Sequence, residues 1–307
     1  MPEEAAPLVT IIIAAYVATP HQVALLEETL DTVAAQTGQE YEVILVDDGS
    51  PRDLSGVVSS RARTVVLRQE NAGPAIARNT GIRASRGRYF VFLDADDHLL
   101  PQALEAGLRA LDEHPECGFA VGRREEMTYE GHPVSWGVAA SPKTTQLYHI
   151  LLGFDWYIIP PSTVMFRREV VEAVGDWRDP WGADDLDYYL RAAQRYQGWC
   201  YDEPAVTRYR RYSASSSRNG ERMLRSVRAV YARQWRIVKN DPEGEAAFHR
   251  GLAQLTEIFR DSVAENLRDA VRARTWTPAL RAALLLARES PRRLLAEAVR
   301  GFRDAPR

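Results

Sequence analysis

Two residue types are nearly missing from this 307-residue chain, which has two lysines, Lys143 and Lys239, and two cysteines, Cys117 and Cys200. The cysteines have neither metal-ligand nor redox spacing. They read as two reduced, buried thiols of a cytoplasmic protein, which excludes a disulfide framework. With lysine so scarce, nearly all the positive charge is arginine, a bias that reads as genome composition. Charge of one sign is also lacking: the net charge of −3 gives no case for a nucleic-acid partner or an acidic tail. Long apolar runs are absent too. The N-terminus is acidic and "LVTIIIAAYVA" (8–18) is too short to cross a bilayer, so neither a signal peptide nor a membrane span is expected. No repeat or low-complexity tract occurs. A hydrophobic content of 45% and a charged content of 26% describe an ordinary globular protein, with room for one large domain and an appendage or for two smaller domains.

The first 120 residues alternate between two periods. "LVTIIIAA" (8–15) is a continuous β-branched run, as expected of a strand covered on both faces. Val23, Leu26, Leu30 and Val33 then recur at helical spacing. "YEVILV" (41–46) is a second strand, stopped by the turn-forming "DDGSP", and "RTVVLR" (63–68) is a third. "NAGPAIARNTGIRAS" (71–85) is a loop entering a helix. "RYFVFL" (88–93) is a fourth strand, and Pro101 is placed to open the next helix. Such alternation predicts a doubly wound, mostly parallel sheet, whose ligands sit beyond the carboxyl ends of the strands at the switch point. The polar clusters "AAY" (14–16), "DDGS" (47–50) and "DADD" (94–97) all fall at strand ends. Farther on the pattern loosens. Short strands are expected near "CGFAVGR" and "STVMFRR", around a Gly/Ser/Pro-containing stretch at 131–143. A helix begins at Asp184 with Leu186, Tyr189, Leu190 and Ala193 on one face, and beyond Ser217 everything reads as helix.

Three aspartates within "DADD" repel one another unless something positive binds there or water screens them. A divalent metal carrying a diphosphate is the partner that fits best: a hard cation held by one or two carboxylates, with phosphate oxygens completing its shell.

"VTIIIAAY", "YEVILVDDGS", "NAGPAIARNTGI", "GRYFVFLDADD" and "WGADDLDYYLR" occur in this order over residues 8–215. Each is weak alone; together they resemble the large inverting glycosyltransferase family called family 2. The resemblance implies an α/β, Rossmann-like GT-A fold with a mixed, mostly parallel sheet and helices on both faces. Residues 1–217 would form the nucleotide-sugar-binding and catalytic domain, and 218–307 a C-terminal helical region. The implied reaction moves a sugar from a nucleotide-diphosphate sugar, a UDP-sugar by expectation, to an acceptor hydroxyl, with Mg or Mn as cofactor. A glycan, a lipid-linked or a small-molecule acceptor would serve.

The resemblance assigns Asp96 to the metal, and Ala14, Ala15, Tyr16, Asp48, Arg78, Asp94 and Ala95 to the nucleotide. An ionised carboxylate is the natural acceptor for the N–H of an imide base, and Asp48 holds that position, with Asp47 and Ser50 bracing the turn. Tyr16 stacks on the base or packs half-buried. Arg78 binds nucleotide, organises the aspartates, or forms a structural salt bridge, while Asn79 lies beside it and Gly73 loosens the helix entry. Asp97 serves metal or donor sugar, or caps the following helix. His98 faces solvent or caps the turn.

For catalysis, the family's Glu-Asp pair reads Asp184–Asp185 here. Asp185 is the expected base, kept ionised at a helix N-terminus, and Asp184 binds the acceptor. The bland alternative is a solvated first helical turn. Trp177, Trp181 and Tyr188 surround these acids, with Trp181 an acceptor platform or an ordinary packing residue. One departure stands out: the family's Tyr-Arg-X-His histidine is Tyr212 here, a poor ligand while protonated, with Arg210 or Arg211 then available to clamp the diphosphate. A nucleotidyltransferase is the enzyme alternative, although "AAYVATP" is no glycine-rich phosphate loop. A binding module that has lost catalysis is the other. The tail "SPRRLLAEAVRGFRD" is a basic amphipathic pattern suited to packing, to a homodimer or to peripheral membrane contact.

Overall fold

The computed structural model describes residues 7–37, 40–59, 61, 63–134, 140–178, 182–211 and 219–295. The first apolar run forms strand β1 (Val9–Ala15), buried at every position but Ala14. It needs cover on both faces because parallel neighbours flank it: β2 (Tyr41–Asp47) on one side and β4 (Tyr89–Asp94) on the other. Strand β3 (Thr64–Arg68) adds to β2 in parallel and is the edge, so its Val65 and Val66 stay exposed. Between these strands run α1 (Pro20–Ala34), α2 (Ser55–Val58) and α3 (Pro74–Ala84). Thr19 and Gln22 close a capping box at the start of α1, and Leu26, Leu30 and Val33 press that helix onto the sheet core.

Past β4 come β5 (His98–Leu99), α4 (Ala103–Glu113), β6 (Cys117–Met127), β7 (Pro133–Val134), α5 (Tyr148–Leu152), β8 (Val164–Arg167), α6 (Arg168–Val174), α7 (Asp184–Ala193) and β9 (Gln197–Arg210). Among the described residues the sheet order is β3-β2-β1-β4-β8-β6-β9-β5, with β7 on β6. β8 is antiparallel to both its neighbours, whereas β6 and β9 run parallel to each other. The expected mixed, mostly parallel α/β sheet is therefore present, with the carboxyl ends of β1, β2, β4, β6 and β9 along one edge.

Pro101 does not open a helix. It lies in the turn after β5, and α4 begins at Ala103. The β5–β9 pairing, His98 with Arg208 and Leu99 with Thr207, holds that segment extended for two residues first. Cys117 and Cys200 are buried free thiols, which burial pushes up to about 11 and about 12.

The chain divides into two compact units: Met1–Leu151 with Trp156–Tyr212, and Leu152–Asp155 with Ser213–Arg307. The expected boundary at 217/218 lies outside the described residues. In the second unit, α8 (Gly220–Val238), α9 (Pro242–Arg272) and α10 (Trp276–Glu289) are helical as their periodicity predicts. Asn219 and Asp241 cap the first two. No helix among the described residues is long and apolar enough to cross a membrane.

Tyr231 on α8 donates to the Leu152 carbonyl at 2.6 Å, and Gly251 of α9 fits against both. A Cβ at Gly251 would lie 2.0 Å from that carbonyl oxygen and 2.2 Å from the tyrosine hydroxyl. Helix propensity favours alanine there by about 1 kcal/mol. Overpacking against backbone costs about 1–3 kcal/mol and the disturbed hydrogen bond about 1 kcal/mol more. Gly251→Ala is expected to lower the thermal midpoint of the full chain; an unchanged or raised midpoint would show that the contact yields.

Candidate active site

The sheet's switch point falls between β1 and β4. Register places Ala15 beside Asp47 and Ala14 beside Asp94, so small residues separate the two acidic motifs. Beyond this edge lies a cavity of about 350 Å³ lined by Ala14, Ala15, Tyr16, Asp48, Asn71 and Pro74. Tyr16 is half exposed on its wall. Asp48 is buried and holds the loop ahead of α3. Its Oδ1 accepts from Gln69 Nε2 (2.7 Å) and the Ala72 N–H (2.9 Å), and its Oδ2 from the Gly73 N–H (2.8 Å). One Oδ2 lone pair then remains for a ligand. Gly49 and Gly73 adopt φ of 75° and 91°, the region that favours glycine. A Cβ on Gly49 would also meet the Asn71 nitrogen at 2.8 Å. Asp47 accepts from the Ser50 N–H and from Arg68, while Ser50 Oγ accepts from the Val17 N–H, so these residues brace the turn.

Arg78 joins the two ends of the site. Buried on α3, it donates through Nη2 to Asp94 Oδ1 at 2.9 Å and through Nη1 to Asp184 Oδ2 at 2.5 Å. Its guanidinium lies 4.6 Å from the Trp177 ring centre. Burial works against its charge, but Asp184 and Asp94 more than offset that, so its proton is held more tightly than usual. The neighbouring Asn79 exchanges two hydrogen bonds with the Trp177 backbone, Nδ2 to the carbonyl at 3.0 Å and Oδ1 from the N–H at 2.8 Å. Of the aromatics near the acids, Trp177 and Tyr188 belong to the core. They are fully buried, stacked at 4.1 Å, with Phe92 edge-on to both. Trp181 and Tyr212 lie outside the described residues.

Asp184 and Asp185 start α7, and the helix end does not lower the Asp185 carboxyl on balance. Burial pushes its carboxyl up; the Leu186 N–H and then Arg78 pull it back, and nearby Asp94 adds to the rise. Burial lifts Asp184 to about 7 against the pull of Arg78, with Asp185 adding to the rise. Removal from water outweighs one helix terminus.

The "DADD" turn is fixed from the far side of the sheet. Asp94 is partly exposed, Ala95 packs its methyl on the core, and Asp96 keeps part of its surface in solvent. Asp97 is fully buried. Its Oδ1 accepts the Arg210 N–H at 2.8 Å, and burial, Asp96 and Asp94 push its carboxyl well up. It does not cap α4, whose cap position is Gln102. Nor can Arg210 clamp a diphosphate. Its side chain is buried and donates to the Asp96 carbonyl (2.8 Å), the Tyr129 carbonyl (2.6 Å) and Glu28 (2.8 Å). Arg211 reaches Glu126 at 3.1 Å. His98 does not face solvent: it lies 3.5 Å from Glu28 and 3.1 Å from Arg210, and burial and then Arg210 lower its pKa. Tyr209, missed in the sequence, feels Asp97, Asp94, Asp96 and Asp185 together, and burial and then these carboxylates raise its hydroxyl. The only signal pointing to it was its place as the tyrosine of the Tyr-Arg-X-His pattern.

A divalent cation fits these residues in one way. Among the described residues no group of three or more His, Cys, Asp or Glu converges on one point, so an all-protein cage is absent. Carboxylate oxygens on the "DADD" turn, with the buried Asp97 Oδ2 lacking a hydrogen-bond partner, make a hard, anionic donor set. Such a set suits an ion that brings phosphate oxygens and water as its remaining ligands.

A doubly wound sheet with an acidic site at its switch point defines the class. The chain belongs to Glycosyl transferase family 2, whose family model matches residues 10–175. The uncharacterized glycosyltransferase EpsJ of Bacillus subtilis (strain 168) is 35% identical over 182 residues, 54% of this chain. The chain spans 49% of that relative's length. Among solved structures, S. aureus TarS 1-349 in complex with UDP-GlcNAc is similar with a TM-score of 0.63 at 17% identity, covering 94% of this chain and 83% of that one. The mannosyltransferase PcManGT from Pyrobaculum calidifontis, in complex with GDP-Man and Mn2+, has a TM-score of 0.59 at 20% identity, covering 99% and 89%. At these identities the likeness establishes the fold, which is of the GT-A type.

Asp184 faces Arg78, Asp185 and Asp94, and its pKa rises from an ordinary 3.8 to about 7 on folding. Between those values the folded chain holds the proton and the unfolded chain does not, so this residue makes stability fall as pH rises through 7. Asp185 and Asp97 act with the same sign. Asp184→Asn is expected to flatten the decline in denaturant midpoint between acid and neutral pH. Parallel curves for the two proteins would refute the assignment.

Proposed function

We propose that this protein transfers a glycosyl group, with inversion, from a nucleotide-diphosphate sugar to an acceptor hydroxyl. The observation that carries the reading is the Arg78 bridge. It ties Asp94, at the strand end beside the cavity, to Asp184, the immediate neighbour of the expected base. A UDP-sugar is the favoured donor. The cavity is of a size to hold a base and ribose, and the open lone pair on Asp48 Oδ2 suits the N–H of an imide. TarS with its UDP-GlcNAc supports the same choice.

In this reading Tyr16 and Pro74 flank the base, Ala14 and Ala15 let the nucleotide approach the backbone, and Asp94 and Ala95 face the ribose and diphosphate. Asp185 Oδ1 is engaged by the Leu186 N–H at 2.7 Å, so Oδ2 takes the acceptor proton. In the same step the acceptor oxygen bonds to the anomeric carbon from the face opposite the diphosphate. The bond from that carbon to the phosphate oxygen breaks, and its electron pair leaves with the nucleotide diphosphate. Burial makes Asp185 a stronger base than an exposed aspartate, yet still far weaker than an alkoxide, so the proton moves late, as the new bond forms. Asp184 gives Oδ2 to Arg78 and has Oδ1 for an acceptor hydroxyl, with Trp181 as the proposed platform. A divalent cation held by Asp96, with Asp94 behind it, would supply charge neutralisation on the diphosphate, as the Mn2+ bound to PcManGT suggests.

Asp185→Asn is expected to lower turnover at least about 100-fold while UDP affinity, read by titration calorimetry, stays within about twofold of the parent. Full turnover in that variant would remove Asp185 from the mechanism. Asp96→Asn is expected to raise the Mn2+ concentration for half-maximal transfer by at least about tenfold; an unchanged requirement would place the ion elsewhere.

A further inference from the structure

Among the described residues of the second unit, one surface is left open by the packing. Helix α10 rests on α9 through Ala279, Ala282 and Leu286, the last two clustered with Val263 and Ala264. A helix so anchored should turn polar residues outward. Instead Trp276, Leu280 and Leu284 are 69%, 62% and 62% exposed. Spaced four apart, they form one continuous stripe along the helix. Thr277, Arg274, Arg281 and Arg288 lie beside that stripe, all exposed. From Ala270 to Arg288 there are four arginines and no acidic residue; Asp269, which pairs with Arg272, and Glu289 border the stretch.

We propose that this face of α10 seats the protein on an anionic phospholipid surface. Leucines buried at the level of the acyl boundary gain from leaving water. A tryptophan at the end of the stripe has the amphipathic ring that settles among headgroups. The arginine row matches the negative surface of such a leaflet. A second copy of the chain is a poorer occupant, because its own stripe brings the same arginines, with acids only at the two ends, Asp269 and Glu289. The proposal is independent of the transfer chemistry, since none of these residues belongs to the site.

The test uses the full chain with vesicles of pure phosphatidylglycerol and of pure phosphatidylcholine, read by co-sedimentation. Each arginine near an anionic surface is worth about a fivefold change in partitioning. Binding to phosphatidylglycerol is therefore expected to exceed that to phosphatidylcholine by more than about tenfold and to weaken with salt. Trp276→Ser with Leu280→Ser and Leu284→Ser should lower it at least about tenfold. Arg274→Glu with Arg281→Glu should do the same with an unchanged melting curve, since both side chains are exposed. This second variant keeps the test valid if the first fails to fold. Absence of binding, equal and salt-insensitive binding to both lipids, or binding untouched by the arginine variant overturns the proposal. So does a dimer in sedimentation velocity that the arginine variant leaves intact and the stripe variant dissolves.

Discussion

The buried guanidinium of Arg78 is the constraint on which the site depends. A cation removed from water costs several kcal/mol unless it is paired and fully hydrogen-bonded, and removing one partner of such a pair costs about 3–5 kcal/mol. Its partners come from distant parts of the chain, Asp94 at the end of β4 and Asp184 at the start of α7. Any packing of α7 that moved Asp184 away would leave the charge with Asp94 alone. The aromatic stack beneath Arg78 and the paired bonds of Asn79 hold the same segment from below. Asp185 inherits its position from this arrangement, being the next residue on the helix.

Arg210 applies the same logic on the other side of the acidic turn. It gathers the Asp96 carbonyl, the Tyr129 carbonyl and Glu28, and through its own N–H it takes Asp97. The partners lie in α1, the β6–β7 connection and the "DADD" turn. A planar fork can address several oxygens in fixed directions at once, whereas an ammonium on a flexible stem cannot. An arginine-rich, lysine-poor composition says nothing by itself, but at these two positions the guanidinium is required by geometry.

Much of the fold was legible in the sequence because burial leaves a period. β1, α1 and α7 announced themselves through runs or spacings of apolar residues, and the strand-end motifs located the cleft. β9 was missed, since its "WCYDEPAVTRYR" mixes charges and a proline with apolar residues and carries register shifts against β6. The burial of Arg210 was equally hidden. Nothing local distinguishes it from the exposed Arg211, because its acceptors are contributed by residues far away in the chain. Trp177 and Tyr188 could be placed near the acids from sequence, but not their depth: they are the core beneath Arg78. The upward shift of Asp185 was hidden for a related reason. A helix start can be read from sequence, whereas the depth at which it is buried cannot.

Asp94, Asp96, Asp97, Asp184 and Asp185 gather around two guanidiniums, each already engaged by several oxygens. Burial and mutual repulsion both disfavour charge there and push the carboxyls of Asp97, Asp184 and Asp185 upward. A diphosphate alone would add negative charge to a site that already refuses it. A divalent cation alone would find too few ligands to hold it. Bound together, each supplies what the other lacks, so the affinity of either must rise when the other is present, and by the same factor. In the proposed reaction, an acidic cleft and an anionic donor are therefore no contradiction, provided the ion and the diphosphate enter as one.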